Sequence, residues 1–400
     1  MGYRSTSNML QTTIPLYLKY ELSTSDFVIS LIVTILGISA MLSLIYTTLR
    51  QSDVRKRLLV SLGIVAIGLP GFLVAKDLVF FVILTSILYF GTGSILVLLV
   101  TAVVLVGSPK AQERNIILFT VVLSLSLVLS PIFQAGILTL LSGNLAYSMV
   151  SFAPLVGVSI LLISSVEVQQ HDQSSNDNVH QSKTKSRLID FEFFKNRKFI
   201  LGVLTNQIYT MPFIAITTYG GIFARERFAI SYSSVEFLFS FFFVTSFLSR
   251  LLLLRLRSYR YTAVVSIIIF TITGLALVYL SSSLVYLSVG FVLLGYAHGV
   301  SYPVAQNYIA ESSSRDRLAA ANSASSLIGQ IFNLASLPII GALVQYSGAG
   351  LMYLIIILPV FILSLAYLIL SNEELGLQSF GRFFGRKTFQ LTHSSQCIED

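Results

Sequence analysis

The sequence predicts an all-α polytopic membrane protein built as two pseudo-symmetric six-helix bundles. Three observations carry that expectation. Apolar residues make up 54% of the 400-residue chain and charged residues only 11%, against about 45–50% and about 25% in ordinary globular proteins. Eleven apolar runs reach the ~20 residues that a helix needs to cross a bilayer core. The chain also matches itself in outline on either side of a long polar stretch. The single cysteine, Cys397, excludes an internal disulfide. The net charge of +8 is distributed between apolar runs, which suits membrane orientation better than nucleic-acid binding.

The runs lie near 27–49, 58–75, 78–106, 115–141, 145–165, 199–222, 234–254, 262–280, 284–309, 318–345 and 350–371. Each is too long and too apolar for a strand. Ahead of them, Met9 to Leu18 is apolar but interrupted by Gln11, Thr12, Thr13 and Pro15. It is read as the outer end of a first helix, not as a signal peptide. The predicted organisation is an N-terminal bundle at 1–165, a cytoplasmic linker at 166–197, a C-terminal bundle at 198–371 and a cytoplasmic tail at 372–400. Gln169 to Lys185 holds one aliphatic residue and no aromatic, so disorder is expected there. Phe191, Phe193 and Phe194 then mix with Glu192, Lys195, Arg197 and Lys198, the pattern of a short helix lying on the membrane surface.

Charge sets the expected orientation. With the linker in the cytoplasm, the cytoplasmic connections hold 21 of the 26 Lys and Arg residues. Among them are the clusters Arg55-Lys56-Arg57 and Arg250, Arg255, Arg257 and Arg260. The outer connections hold Lys19, Lys76, Arg225 and Arg227. The bias follows the positive-inside rule and puts both termini in the cytoplasm.

The halves correspond at a shift of about 200–208 positions. Tyr89-Phe-Gly-Thr-Gly93 followed by Arg114 matches Gly295-Tyr-Ala-His-Gly299 followed by Arg317. Pro131, Gly136 and Ser142-Gly143 match Pro338, Gly341 and Ser347-Gly348. Aligning the first outer loops sets Tyr17 opposite Phe223, so the first helix is expected to lack about eight inner-end residues. Either the coding start lies further upstream or that helix is short.

A six-plus-six plan, a polar central loop, basic second-to-third and eighth-to-ninth loops, and Pro15-Leu-Tyr-Leu18 closing the first helix resemble the major facilitator superfamily over residues 9–371. Of that family's Gly-x-x-x-Asp-Arg/Lys-x-Gly-Arg loop motif, Asp53 and Arg57 are kept, while Leu49 and Lys56 replace the glycines. The resemblance implies a secondary transporter moving a small organic solute across the cell membrane by alternating access, with the first, fourth, seventh and tenth helices lining the cavity. It implies no enzymatic activity. The chain carries no phosphate-binding loop and no Cys/His metal spacing, so neither cofactor nor metal is expected. His171 and His180 lie in the polar linker. A transport-inactive sensor or helper with the same fold is the alternative.

Polar residues inside spans mark candidate sites, since each costs free energy unless it meets a cavity or a partner. On the tenth helix His298, Ser301, Tyr302 and Gln306 form one stripe. His298 is either hydrogen-bonded to a neighbouring helix or a cavity and proton site. Asn206, Tyr209 and Thr210 share a face of the seventh helix, for interhelical hydrogen bonding or the cavity. Arg4 aligns with Thr210 in the repeat. If the first helix runs on upstream, Arg4 is near mid-membrane and would favour an anionic group; otherwise it is an inner-flank charge. Asn8 shares its face, and Tyr89 completes the cavity candidates. Ser126, Ser130 and Gln134, and Asn322, Ser325, Ser326, Gly329 and Asn333, suit close helix packing. Asp53 and Arg57 are candidates for a cytoplasmic gate, or simply topology-setting charge. Glu236, near the outer end of the eighth helix, is expected at headgroup level or capping a loop, with a proton site as the alternative. Export is favoured over import because the cavity candidates hold few fixed charges.

Overall fold

The structure, a computed structural model, describes residues 1–49, 53–105, 109–165, 191–255, 260–314 and 317–384. The stretch Gln169 to Lys185, with His171 and His180, lies outside the described residues, as does Cys397. All regular elements among the described residues are helical: α1 (Gly2–Tyr20), α2 (Asp26–Leu49), α3 (Val54–Gly68), α4 (Leu78–Leu105), α5 (Pro109–Leu140), α6 (Leu145–Val150), α7 (Ala153–Ser165), α8 (Arg197–Phe228), α9 (Tyr232–Arg255), α10 (Arg260–Leu280), α11 (Leu284–Glu311) and α12 (Leu318–Phe384). Ten described stretches are long and apolar enough to cross a membrane. Their outward apolar side chains, such as Ile67, Leu161 and Ile369, are exposed, a surface that suits lipid.

The departures from the expected spans have local causes. Past Gly68 the third span tightens into a 3₁₀ turn over Leu69–Leu73, where Pro70 has no backbone N–H to give. The sixth is interrupted between α6 and α7, with Pro154 in the first turn of α7. Asn144 caps α6, its side chain accepting from the Tyr147 N–H at 3.0 Å. The eleventh and twelfth spans run together as α12, broken at Gly348 where φ is 81°. The backbone also stays helical to Phe384, beyond the boundary expected at 371.

The largest departure is α1. The apolar stretch Met9–Leu18 is only part of a 19-residue helix, of which 13 residues are buried. Buried Ser5, Thr6, Asn8, Thr12 and Thr13 explain why hydropathy understates it. The helix packs against α5, α7 and α8, so protein rather than lipid surrounds it, and its polar groups need not be absent.

The internal repeat reappears in the packing. A Cβ on Gly93 of α4 would strike the backbone of Ala40 on α2, and one on Gly299 of α11 would strike the backbone of Ser246 on α9. Both members of the second pair sit 206 positions beyond the first. Gly143 and Gly348, also matched by the repeat, share a φ of +81°, a conformation open to glycine.

The two halves meet along α1–α8, α2–α12 and α5–α9. At the face carrying residues 21–25, here the Lys19 face, they are sealed. Lys19 pairs with Asp26 at 2.8 Å and with Glu226 of the other half at 3.4 Å. The Arg225 guanidinium lies 3.8 Å from the Tyr232 ring centroid and 4.8 Å from that of Tyr20. Tyr219 donates to the Asp26 carbonyl at 2.6 Å. Thr139 and Ser233 share a hydrogen bond of 2.8 Å. Gly341 is what lets α12 close on α2, since any Cβ there would run into the Ser30 side chain.

At the opposite face, the linker face, Asn196 donates to the Ser312 carbonyl at 2.7 Å and Lys198 pairs with Glu311 at 3.1 Å. Arg260 also pairs with Glu311. Arg57 donates to the Thr47 carbonyl at 2.7 Å. Each of these stays within one half. Residues 191–195 form a 3₁₀ turn, not a free surface helix. Phe193 is buried against Phe199, with ring centroids 5.4 Å apart, and Glu192 pairs with Arg317 at 3.0 Å. Phe193 of the aromatic pattern seen in the sequence thus docks on the second half, while Phe194 is exposed.

Candidate functional site

Three hydrogen bonds fix the depth of α1. The Tyr3 hydroxyl donates to the Thr92 carbonyl at 2.9 Å, Ser5 donates to the Ser126 carbonyl at 3.3 Å, and Ser130 donates to the Ser5 carbonyl at 2.7 Å. Thr92 and Ser126 are near the middle of α4 and α5. Arg4 is therefore level with the centre of the bundle, where it is half-buried. Ser126, Ser130 and Gln134, the last hydrogen-bonded to Thr13, form the α1–α5 seam, as helix packing requires.

On the other half, His298 sits midway along α11. Its ring stacks on Phe213 of α8, with centroids 4.5 Å apart and planes 2° from parallel. Phe242 and Phe243 of α9 and Tyr209 of α8 complete an aromatic surround at 5.4, 6.3 and 5.8 Å. No described hydrogen bond reaches its imidazole, so aromatic stacking holds the ring. One turn further along, Tyr302 is 57% exposed although α11 is a central helix, so a gap opens beside it. Asn206, Thr210 and Gln306 are half-buried around that level, and Asn206 and Gln207 face Gly329 of α12. Tyr209 is engaged elsewhere: it is buried, and its hydroxyl donates to the Leu294 carbonyl at 2.6 Å. Tyr89 is half-buried within electrostatic range of Tyr3. Asn8 is buried with its amide nitrogen unpartnered.

Arg250 is the residue that sequence reasoning misplaced. The cluster at 250–260 reads as a basic connection, but Arg250 lies inside α9 and reaches the first half, donating to the Ser124 hydroxyl of α5 at 3.2 Å. Its Nε is buried without a partner. Arg250 is close enough to feel the charge of Arg4, and His298 feels both arginines. The signal was present in the sequence: four leucines follow Arg250, so the apolar run continues past it. Glu236 stands near the start of α9, as expected, but it is not solvated there. It is fully buried one turn into α9, its carboxylate makes no described hydrogen bond, and Thr12 of α1 is a polar neighbour.

Asp53 caps α3 by accepting from the Arg55 N–H at 2.9 Å. With the Arg57 contact to Thr47, it joins α2 to α3 within the first half.

A family model described as the Major Facilitator Superfamily matches residues 2–256 and again residues 208–393. No curated protein matches the chain in sequence. Among solved structures, the fold resembles a mutant of the nucleoside transporter NupG at 15% identity and a TM-score of 0.73, covering 92% of this chain and 97% of that one. It resembles a bacterial homologue of the human lysosomal transporter Spinster, inward-facing and unoccupied, at 13% identity and a TM-score of 0.69, covering 93% and 94%. It also resembles a mutant of the peptide transporter POT at 10% identity and a TM-score of 0.73, covering 93% and 92%. Similarity at these identities speaks for the fold. The family match spans both bundles and the helices that carry the central arginines, and the chain belongs to the Major Facilitator Superfamily as a multi-pass membrane transporter.

Proposed function

We propose that this transporter carries a small organic solute across the cell membrane by alternating access, using an existing gradient, with the linker face and both termini in the cytoplasm. The observation that supports this most is the asymmetry of the two faces. The halves are bolted together at the Lys19 face through Arg225, Tyr20 and Tyr232, while Tyr302 stays exposed at the bundle centre. That is the arrangement of an inward-open state, provided the basic linker face is cytoplasmic. The candidate cavity is the central gap near Arg4, Asn206, Thr210, His298, Tyr302 and Gln306.

Proton coupling belongs to the same reading at His298. It faces Arg250 and Arg4 by electrostatics and otherwise aromatic rings. If His298 carries the coupled proton, His298→Ala abolishes the pH dependence of transport in vesicles; an unchanged pH profile removes the assignment. The transport function itself is tested by counterflow of a broad solute panel in reconstituted vesicles. Exchange of at least one solute is expected. Exchange of none, with one partner protein co-purifying, would favour a helper role.

A further inference from the structure

Two arginines from opposite halves come within electrostatic range near the centre of the bundle, and among the described residues no carboxylate pairs with either. Arg4 comes from α1 and Arg250 from α9. None of the described ion pairs includes either residue. The buried carboxylate of Glu236 is on the same helix as Arg250 but about 21 Å away along the axis, so it cannot pair. Arg250 is held by one neutral hydroxyl, that of Ser124 at 3.2 Å, and its Nε is buried without a partner. A guanidinium fork left unmatched at mid-membrane is costly, and such residues mark ligand paths.

We propose that Arg4 and Arg250 together form an anion subsite that binds the acidic head, carboxylate or phosphate, of an organic solute, and that this anion bridges the two halves. This rests on the transporter reading above and names its substrate class. Guanidinium groups recognise both head groups through paired N–H donors. The side facing α8 and α11 supplies the complement for the rest of the solute. Phe213 stacks on His298 there with centroids at 4.5 Å, and exposed Tyr302 lies within electrostatic range of Arg250. A flat apolar or aromatic body fits against these rings. In the empty protein the two cations repel across the gap and oppose its closing. An anion between them removes the repulsion and draws α1 and α9 together.

The test uses the full chain in detergent, with benzoate, hexanoate and phenyl phosphate as anionic probes and benzamide as the neutral control. Thermal stability is followed against probe concentration, because a ligand that binds only the folded protein raises the apparent transition. At least one anion stabilises the protein saturably, and benzamide does not. Arg4→Gln and Arg250→Gln each weaken that binding by about tenfold or more, the scale of losing one charge-assisted pair. Arg250→Lys recovers part of the loss. Both Gln variants fold at least as stably as the parent when empty, because each removes an uncompensated charge. Stabilisation by benzamide equal to that by benzoate overturns the proposal, as do Gln variants that keep full anion binding or lose stability when empty. Stabilisation by dihexanoyl phosphatidic acid alone also overturns it, since the site would then hold a lipid headgroup. Counterflow of neutral solutes without any anion response would sink the subsite and leave the transport reading standing.

Discussion

His298 shows how a residue's chemistry changes once its neighbours are known. A histidine at mid-span reads as either a hydrogen-bonded packing residue or a proton site, and the sequence leaves the choice open. In the structure the ring is held by stacking on Phe213 within an aromatic surround, not by a described hydrogen bond. A single ring pair contributes about 0.5–1.5 kcal/mol beyond area burial. Phe213→Ala should therefore loosen His298 and lower stability by about 3 kcal/mol in all, allowing for the lost burial, as read by thermal unfolding in detergent. Glu236 behaves differently. Both its oxygens are buried and unpartnered, and a neutral amide of the same shape avoids the cost of a buried charge. Glu236→Gln is expected to leave stability unchanged or to raise it; a marked loss would mean that a charge partner holds the carboxylate.

Most helices were legible because lipid imposes a length and an apolar composition that hydropathy detects. Of the first helix only the outer end, Met9 to Leu18, was legible by its apolar character, because Ser5, Thr6, Asn8, Thr12 and Thr13 are buried in protein, where polar side chains find helix partners. Arg250 was misread for a related reason: its cluster of cations resembles a loop, and only the leucines after it say otherwise. Breaks were legible where a special residue makes them. Ser142-Gly143 and Ser347-Gly348 align in the repeat and share the same glycine backbone conformation. What no sequence pattern announced is the seal between α2 and α12. Gly341 leaves no room for a Cβ beside Ser30, so Gly341→Val should hold the Lys19 face apart. Arg225→Ala should act in the same direction, weakening that seal by about 1–2 kcal/mol through the lost cation–π contacts. Both are checked by the accessibility of a Ser25→Cys variant to a membrane-impermeant thiol reagent, in a Cys397→Ser background. Faster labelling than in the same background without the seal mutation is the expected outcome.

At the scale of the whole molecule, the repeat that aligns the two halves also builds the machine. Gly93 on Ala40 and Gly299 on Ser246 give each half the same internal packing, so each can move as a unit. The seams between them mix polar contacts, as at Thr139–Ser233 and Arg250–Ser124, with apolar ones, as at Gly221–Leu16 and Gly37–Leu334. In the alternating access proposed above, two such halves rock about a central site. The most direct measurement is a pair of spin-label distances in lipid vesicles, again without Cys397. One pair, at Ser25 and Tyr346, spans the Lys19 face; the other, at Lys56 and Ser314, spans the linker face. The account predicts a short distance at the first and a long one at the second when the protein is empty, with both shifting in opposite directions as an anionic solute such as benzoate is added and the halves rock. One fixed distance at each face, unchanged by every solute in the panel, would contradict alternating access.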